Sequence, residues 1–312
     1  MGDPGGAMSK ITIGLPVFNG ADYISEAIDS ILAQTFTDFE LYISDNVSDD
    51  GTAEICRGFA RRDRRIRYLR QPHNVCTADN YNLLFGHGTG RYFKWAAHED
   101  ILHPRFLEVA AGILDWHPQV VLASPASQLI DERGQVLPFS PEGGGVVDQA
   151  GVCWPRLPEK NYGLTAGDPA RRFEAVMLET VMCVEVFGLM RRSALMRTSL
   201  HGAFGGSDKV LLAQMALLGP FWLGSEVLFA RRCHPGQFSA NGNDDDRAHG
   251  FFGRRDSLLK QQLKLLIAYC RTAGMYDLSP RQRAICAAAI ARRALHRGHQ
   301  GQRLTRGIVG NP

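Results

Sequence analysis

Apolar positions along the first 125 residues switch between two spacings, and the switching predicts strand then helix, several times over. Ile11–Val17 is an unbroken apolar run closed by Phe18-Asn19-Gly20. Ile24, Ala27, Ile28, Ile31 and Leu32 then share one face of a helix. Residues 40–44, 66–69, 91–97 and 120–123 read as further strands, with helices over 52–62, 77–85 and 104–116 between them. Pro104 suits the first turn of the last of these helices. Such alternation predicts an α/β fold, with a mostly parallel twisted sheet and helices on both faces.

After Asp131-Glu132-Arg133-Gly134, a turn signal, the rhythm breaks. Residues 135–168 are rich in Pro and Gly and predict a long functional loop, because structureless loops of that length are uncommon in compact domains. Order resumes with a helix over 169–178, a strand over 183–190, a helix over 208–218 and a strand over 221–231. Residues 241–246 are a polar break, and 251–272 and 280–297 read as two amphipathic helices. The expected division is a disordered leader or tag at 1–9, with Met8 as the natural start, two α/β halves at 10–125 and 126–240, and a helical extension at 241–312.

Composition narrows the partners. The chain has 312 residues, 45% hydrophobic and 21% charged, as in an ordinary soluble protein with a large core. A net charge of +3 is too small to imply nucleic acid. Basic residues cluster at 61–67 and 281–306, which reads as solvated helix faces or, alternatively, as contact with an anionic membrane surface. The seven cysteines are odd in number and contain no C-x-x-C pair, which argues against a disulfide framework and a structural zinc site. They fit a reducing compartment. No apolar run approaches the roughly 18–20 residues of a membrane span, and no signal-peptide core is present. A cytoplasmic location is expected, peripheral at the inner face of the membrane if the basic helices dock there.

Four elements carry candidate chemistry. Pro16-Val17-Phe18-Asn19 ends the first strand and can present backbone groups to a flat base edge. Asp45 emerges where the second strand ends, in Ser44-Asp45-Asn46-Val47-Ser48-Asp49-Asp50-Gly51-Thr52, and could hold a base or ribose hydroxyl. Asp49 and Asp50 have the simpler reading of helix caps. Asn74, Ala78, Asp79 and Asn80 flank the start of the next helix, where capping is an equal reading. The buried strand Phe93-Lys94-Trp95-Ala96-Ala97 then runs directly into His98-Glu99-Asp100. Carboxylates at the carboxyl end of such a strand stand where open α/β sheets bind ligands, and oxygen donors suit cations that hold phosphates.

Several matches fail. Leu102 stands where a second zinc-binding His would be needed after His98-Glu99. Arg57 occupies the position of the bidentate Glu of an EF-hand. The glycines of Gly86-His87-Gly88-Thr89-Gly90 follow a helix, so they lack the strand-first context of a dinucleotide loop.

In this order and spacing the elements resemble the family 2 glycosyltransferases with a GT-A fold, over about residues 10–240. The resemblance implies inverting, hexosyl-type transfer from a nucleotide-diphosphate sugar, a UDP-sugar above all, to a hydroxyl acceptor that is a glycan, lipid-linked or a small molecule. It makes residues 10–125 the nucleotide-sugar half and 126–240 the acceptor and catalytic half. By position, Pro16, Val17, Phe18, Asn19, Asp45, Asn74, Asn80, His98 and Glu99 would line the nucleotide. His98-Glu99-Asp100 falls on the family's D-x-D motif with its first Asp replaced, so Asp100 is the expected ligand of Mn²⁺ or Mg²⁺. Asp208, opening a helix after Gly205-Gly206-Ser207, matches the general base, with helix capping as its alternative. Arg232-Cys233-His234 matches an element in which the His completes metal coordination or binds diphosphate, with Arg232 at the diphosphate or behind it.

Trp154 and Tyr162 are candidate acceptor-stacking residues. Ala287, Ala288, Ile290, Ala291 and Leu295, with Arg292, Arg293 and Arg297, could meet a membrane, a second subunit or the domain itself. The rival from another class is a catalytically silent nucleotide-sugar-binding or scaffold protein, suggested by the loss of the first D-x-D aspartate.

Overall fold

In the computed structural model, the residues described are 10–140, 145–147, 153–155, 163–180, 182–234 and 258–306. The leader at 1–9, Tyr162 and the polar break at 241–246 lie outside them.

An eight-stranded sheet organises the chain. It comprises β1 (Ile11–Val17), β2 (Phe39–Asp45), β3 (Ile66–Arg70), β4 (Tyr92–Trp95), β5 (Ile101–Leu102), β6 (Leu122–Ile130), β10 (Leu189–Arg191) and β11 (Phe221–Arg232) in the order β3-β2-β1-β4-β10-β6-β11-β5. β3, β2, β1 and β4 are mutually parallel, and β11 is parallel to β6. β10 runs antiparallel between β4 and β6, and β5 antiparallel on β11. Every residue of β1 is buried, as a central strand covered on both faces requires.

The two faces form two cores. One packs α1 (Ile24–Leu32), α2 (Thr52–Arg62) and α4 (Phe106–Trp116) on the sheet through Ile28, Ile31, Phe59, Leu107 and Leu114. The other packs α3 (Thr77–His87), α5 (Pro169–Glu179), α7 (Ser207–Leu218) and two C-terminal helices through Phe85, Phe93, Trp95, Phe173, Val210 and Met215. The glycine run at 86–90 serves this packing. A Cβ on Gly90 would stand 2.6 Å from the Thr12 backbone nitrogen, so the chain passes β1 too closely for a side chain.

Three expectations are corrected. Among the described residues of the expected loop 135–168, β7 (Phe139–Ser140), β8 (Gly145–Val147) and β9 (Cys153–Pro155) form a small antiparallel sheet with Trp154 on β9. The strand expected over 183–190 is a 3₁₀ turn at Val184–Phe187 leading into the short β10. Cys183, at φ 51°, turns the backbone out of the extended region there. The short α6 (Arg192–Leu195) and β5 give no periodic signal because each spans only about one helical or strand repeat.

The C-terminal extension is α8 (Leu258–Met275) and α9 (Pro280–Arg306). Cys286, Ala289 and Ile290 of α9 are buried in the second core, so part of its apolar face packs on the domain. Ala287, Ala288, Ala291 and Leu295 are exposed, as are Leu263 and Ile267 on α8. Arg293 donates to the Met177 carbonyl at 2.9 Å and Arg292 pairs with Glu174 at 3.1 Å. Among the described residues no helix is long and apolar enough to cross a membrane.

Candidate active site

All the chemistry-bearing elements meet at the carboxyl edge of the parallel strands. The loops after β1 and β2 are laced together. The Asn19 amide donates to Ser48 Oγ at 3.0 Å, Gly20 N to Thr52 Oγ1 at 2.9 Å, and Asn19 Oδ1 accepts from Asp49 N at 3.0 Å. Asn19 and Val47 hold positive φ of 50° and 68°, strained turns at a ligand edge. Pro16 and Val17 are buried within β1, while the Phe18 ring stands 49% exposed at its end. Asp50 accepts from Thr52 N at 3.1 Å and from Ala21 N at 2.9 Å. It caps the loop as expected, although Gly51 is the N-cap of α2.

Asp45 is completely buried, and its oxygens are committed. It accepts from Ser48 N at 2.8 Å, Tyr68 Oη at 2.6 Å and Arg70 Nη1 at 2.9 Å. Burial and the Asp45 carboxylate push the Tyr68 phenol up to about 12. Asp45 is thus the joint between β2, β3 and the loop above them. Asn46 clamps the next wall, donating to Asn74 Oδ1 at 3.1 Å and to the Val75 carbonyl at 2.8 Å. Asn80 is buried with its amide tied to Ser44 on both sides, so it supports the site through β2.

At the end of β4, His98, Glu99 and Asp100 turn through one tight bend. The His98 ring lies against Gly20, where a Cβ would come within 2.5 Å of it. Glu99 Oε2 meets His234 Nε2 at 3.2 Å and His98 Nε2 at 3.7 Å. Asp100 is buried and accepts from Arg232 N at 3.0 Å. Burial, with the Glu99 charge beside it, pushes the Asp100 carboxyl up to about 7. Burial works the same way on Glu99, but its bond to His234 prevails and its carboxyl is lowered.

Arg232 is a strut behind this corner, with its guanidinium spent on neighbouring segments. Only 1% exposed, it donates to the carbonyls of Glu99, Asp131 and Glu132 at 3.0, 3.1 and 2.8 Å and to Glu26 Oε2 at 2.5 Å. Its neighbour Arg231 is a cation whose charge acts on both Glu99 and Asp100, and the buried Lys94 acts on Asp100 as well. Arg231 also donates to the Met182 carbonyl at 3.2 Å.

Asp208 lies in the first turn of α7 and is half-buried, with Gly206 as the helix cap, so capping does not explain it. Its Oδ1 accepts from Lys209 N at 2.7 Å, and burial, with the Asp208 charge nearby, raises the Cys183 thiol. Tyr81 of α3 feels both Asp208 and the β4 corner. Burial raises its phenol, and the charges of Glu99, Asp100 and Asp208 add to the effect while Arg231 opposes it. Nothing in the sequence singled out Tyr81 or Arg231. A tyrosine facing polar strand ends from a neighbouring helix was the available signal.

Beneath Tyr81, His201 is caged by its ring and that of Trp95 at 5.1 and 4.7 Å, and its Nε2 has no partner. Burial lowers this imidazole to about 4, below the ordinary 6.5. The unfolded chain therefore takes up the proton first, and stability falls as pH drops from about 6.5 towards 4. His201→Phe should remove about 3 kcal/mol of that acid sensitivity. Urea melts across the window check this, and an unchanged pH slope would refute it.

Among the described residues no three His, Cys, Asp or Glu side chains converge into a preformed metal cage. The donor set fits a cation of another kind. A buried carboxylate held at about 7 by a second carboxylate gains from a positive charge, and Mg²⁺-type ions bind through one or two carboxylates plus substrate phosphates. Asp100 is that carboxylate, and His234 stands one step back on Glu99.

A mostly parallel sheet with one antiparallel insertion, a carboxylate corner after β4 and an acidic residue opening α7 define the GT-A class of nucleotide-diphospho-sugar transferase folds. Staphylococcus aureus TarS in complex with UDP-GlcNAc superposes with a TM-score of 0.61 at 14% identity, over 91% of this chain and 72% of that one. Mannosyltransferase PcManGT from Pyrobaculum calidifontis, in complex with GDP-Man and Mn²⁺, gives 0.52 at 16% identity, over 93% and 76%. Residues 12–198, more than half the chain, match the profile of glycosyl transferase family 2, and the chain belongs to that family. An uncharacterized glycosyltransferase of Rickettsia felis is 34% identical over 133 residues, 41% of this chain and 21% of that protein. The putative glycosyltransferase EpsE of Bacillus subtilis is 29% identical over 149 residues, 46% and 54% of the two chains. The match thus spans about a fifth to a half of these relatives' lengths.

Proposed function

We propose that the chain transfers a sugar, with inversion, from a UDP-sugar to a hydroxyl acceptor. The observation that carries this reading is the environment of Tyr81. The charges of Asp208, Glu99 and Asp100 all act on this one buried phenol, which supports a base and a leaving-group site near each other. TarS was solved with UDP-GlcNAc and PcManGT with GDP-Man and Mn²⁺, which supports a nucleotide-sugar donor.

The uracil and ribose would lie along exposed Phe18 and the loop braced by Asp45, with the diphosphate towards Asp100 and Arg231. Mn²⁺ or Mg²⁺, held by Asp100 with the donor phosphates, would supply the positive charge that a departing diphosphate needs. Arg232 and the Glu99–His234 pair fix the geometry of that corner. Asp208 takes the proton from the acceptor hydroxyl on the face opposite the leaving group, as inversion requires. Residues 10–125 would serve the donor and 126–240 the acceptor.

A thermal-shift screen against UDP-, GDP- and dTDP-sugars with Mn²⁺ tests the donor class. A ligand at a hundred times its Kd should stabilise the chain by about 2.7 kcal/mol. UDP-sugars should give the largest shift, and no shift with any of them would reject the reading.

A further inference from the structure

The 3₁₀ turn Val184–Phe187 carries a carboxylate on a segment that packs against β6, α7 and β4. Glu185 is only 4% exposed, and its Oε2 has no hydrogen-bond partner. Thr180, also 4% exposed, has an unpartnered Oγ1. Lys209, 5% exposed, donates its ammonium to the Thr180 carbonyl, and its charge acts on Glu185. The Asp208 charge acts on Glu185 as well, which places the group beside the candidate base.

Folded proteins leave few buried polar atoms unmet, and those that persist call for an explanation such as a ligand or an ordered water. Here two such oxygens belong to residues tied to one ammonium, that of Lys209 next to Asp208: Thr180 holds it by its carbonyl and Glu185 feels its charge. Burying a carboxylate is costly unless it is paired and hydrogen-bonded, so an unmet oxygen at this place has a use. Asp208 itself is half-buried, which leaves its open side to an incoming acceptor. Glu185 lies in the turn that Lys94 of β4 anchors through the Phe187 carbonyl. The same turn packs on β4, the strand whose end would carry the diphosphate in the proposed donor site.

We propose that Glu185, with Thr180 and Lys209, forms a subsite for the transferred sugar, in which Oε2 accepts a hydrogen bond from a ring hydroxyl. The subsite rests on the donor reading above and adds to it the group that selects the sugar. Carbohydrate hydroxyls suit it because they donate to a carboxylate and accept from an ammonium or a threonine hydroxyl.

The test is calorimetric titration of UDP, UDP-GlcNAc, UDP-glucose and UDP-galactose, each with Mn²⁺, into wild type, Glu185→Gln and Glu185→Ala. Affinity for the preferred sugar nucleotide should fall about 10-fold or more in both variants, while UDP affinity holds. Discrimination among the three sugars should narrow with it. Retained UDP binding also certifies that each variant is folded. Titrating deoxy-sugar nucleotides into wild type checks the contact from the ligand side, independently of any variant, and loss of the recognised hydroxyl should cost a similar factor. Equal losses for UDP and sugar nucleotide would mean a structural role and overturn the proposal. Unchanged affinities would overturn it too, leaving a buried water as the partner. If wild type binds none of these nucleotides, the donor reading itself falls and the subsite with it.

Discussion

Asp208→Asn should reduce sugar transfer by about 10²–10⁴-fold, the usual contribution of a positioned general base. The substitution keeps size and an acceptor oxygen for the Lys209 amide, which Asp208 now meets at 2.7 Å, so the first turn of α7 should survive. UDP affinity should hold, because the corner proposed to receive the diphosphate is built from the end of β4 and from β11. A lowered kcat with unchanged UDP Kd is the signature of a group that acts only in the transition state. If UDP binding collapses in a folded variant, Asp208 belongs to the donor site and another group is the base.

Asp100→Asn should abolish the effect of Mn²⁺ on donor affinity while leaving the fold in place. Asparagine preserves an oxygen for Arg232 N, the one bond the structure gives this side chain at 3.0 Å. It removes the charge that burial and Glu99 have made costly to keep, so the variant should be at least as stable as wild type. The energetic loss falls on the cation and its phosphates, for which a neutral amide is a weak partner. Calorimetry with and without Mn²⁺ should show metal-strengthened binding in wild type and none in the variant. Equal metal dependence in both would take Asp100 out of the ligand role. The replaced first aspartate of the motif, now His98, packs against Gly20 and needs no metal to explain it.

Most of the donor half was legible because burial on both faces leaves its mark on sequence. β1 is apolar at nearly every position, and the polar residues after β4 stand out against it. What tertiary pairing decides was hidden. The sequence pattern made Asp45 a ligand contact, but Tyr68 and Arg70 reach it from β3, a neighbour no local pattern reveals. Arg232 stands out ahead of Arg231 in the sequence because it opens Arg232-Cys233-His234, the element carried by the resemblance, and local pattern does not tell which face either side chain takes. The β11–β6 register shifts between Leu223 and Val227 and again between Val227 and Phe229, and each irregularity can exchange the faces that side chains take. Residues 183–190 looked like a strand because Val184 and Val186 alternate with a polar residue. The left-handed Cys183 ends that pattern, and its thiol feels the Asp208 charge.

A crystal structure of the chain soaked with UDP and Mn²⁺, with anomalous data for the metal, tests the central claim most directly. The account predicts one manganese peak bridging an Asp100 oxygen and the diphosphate, with the uracil against Phe18 and the loop over Asp45. A nucleotide bound elsewhere, or a manganese peak away from Asp100, would contradict it.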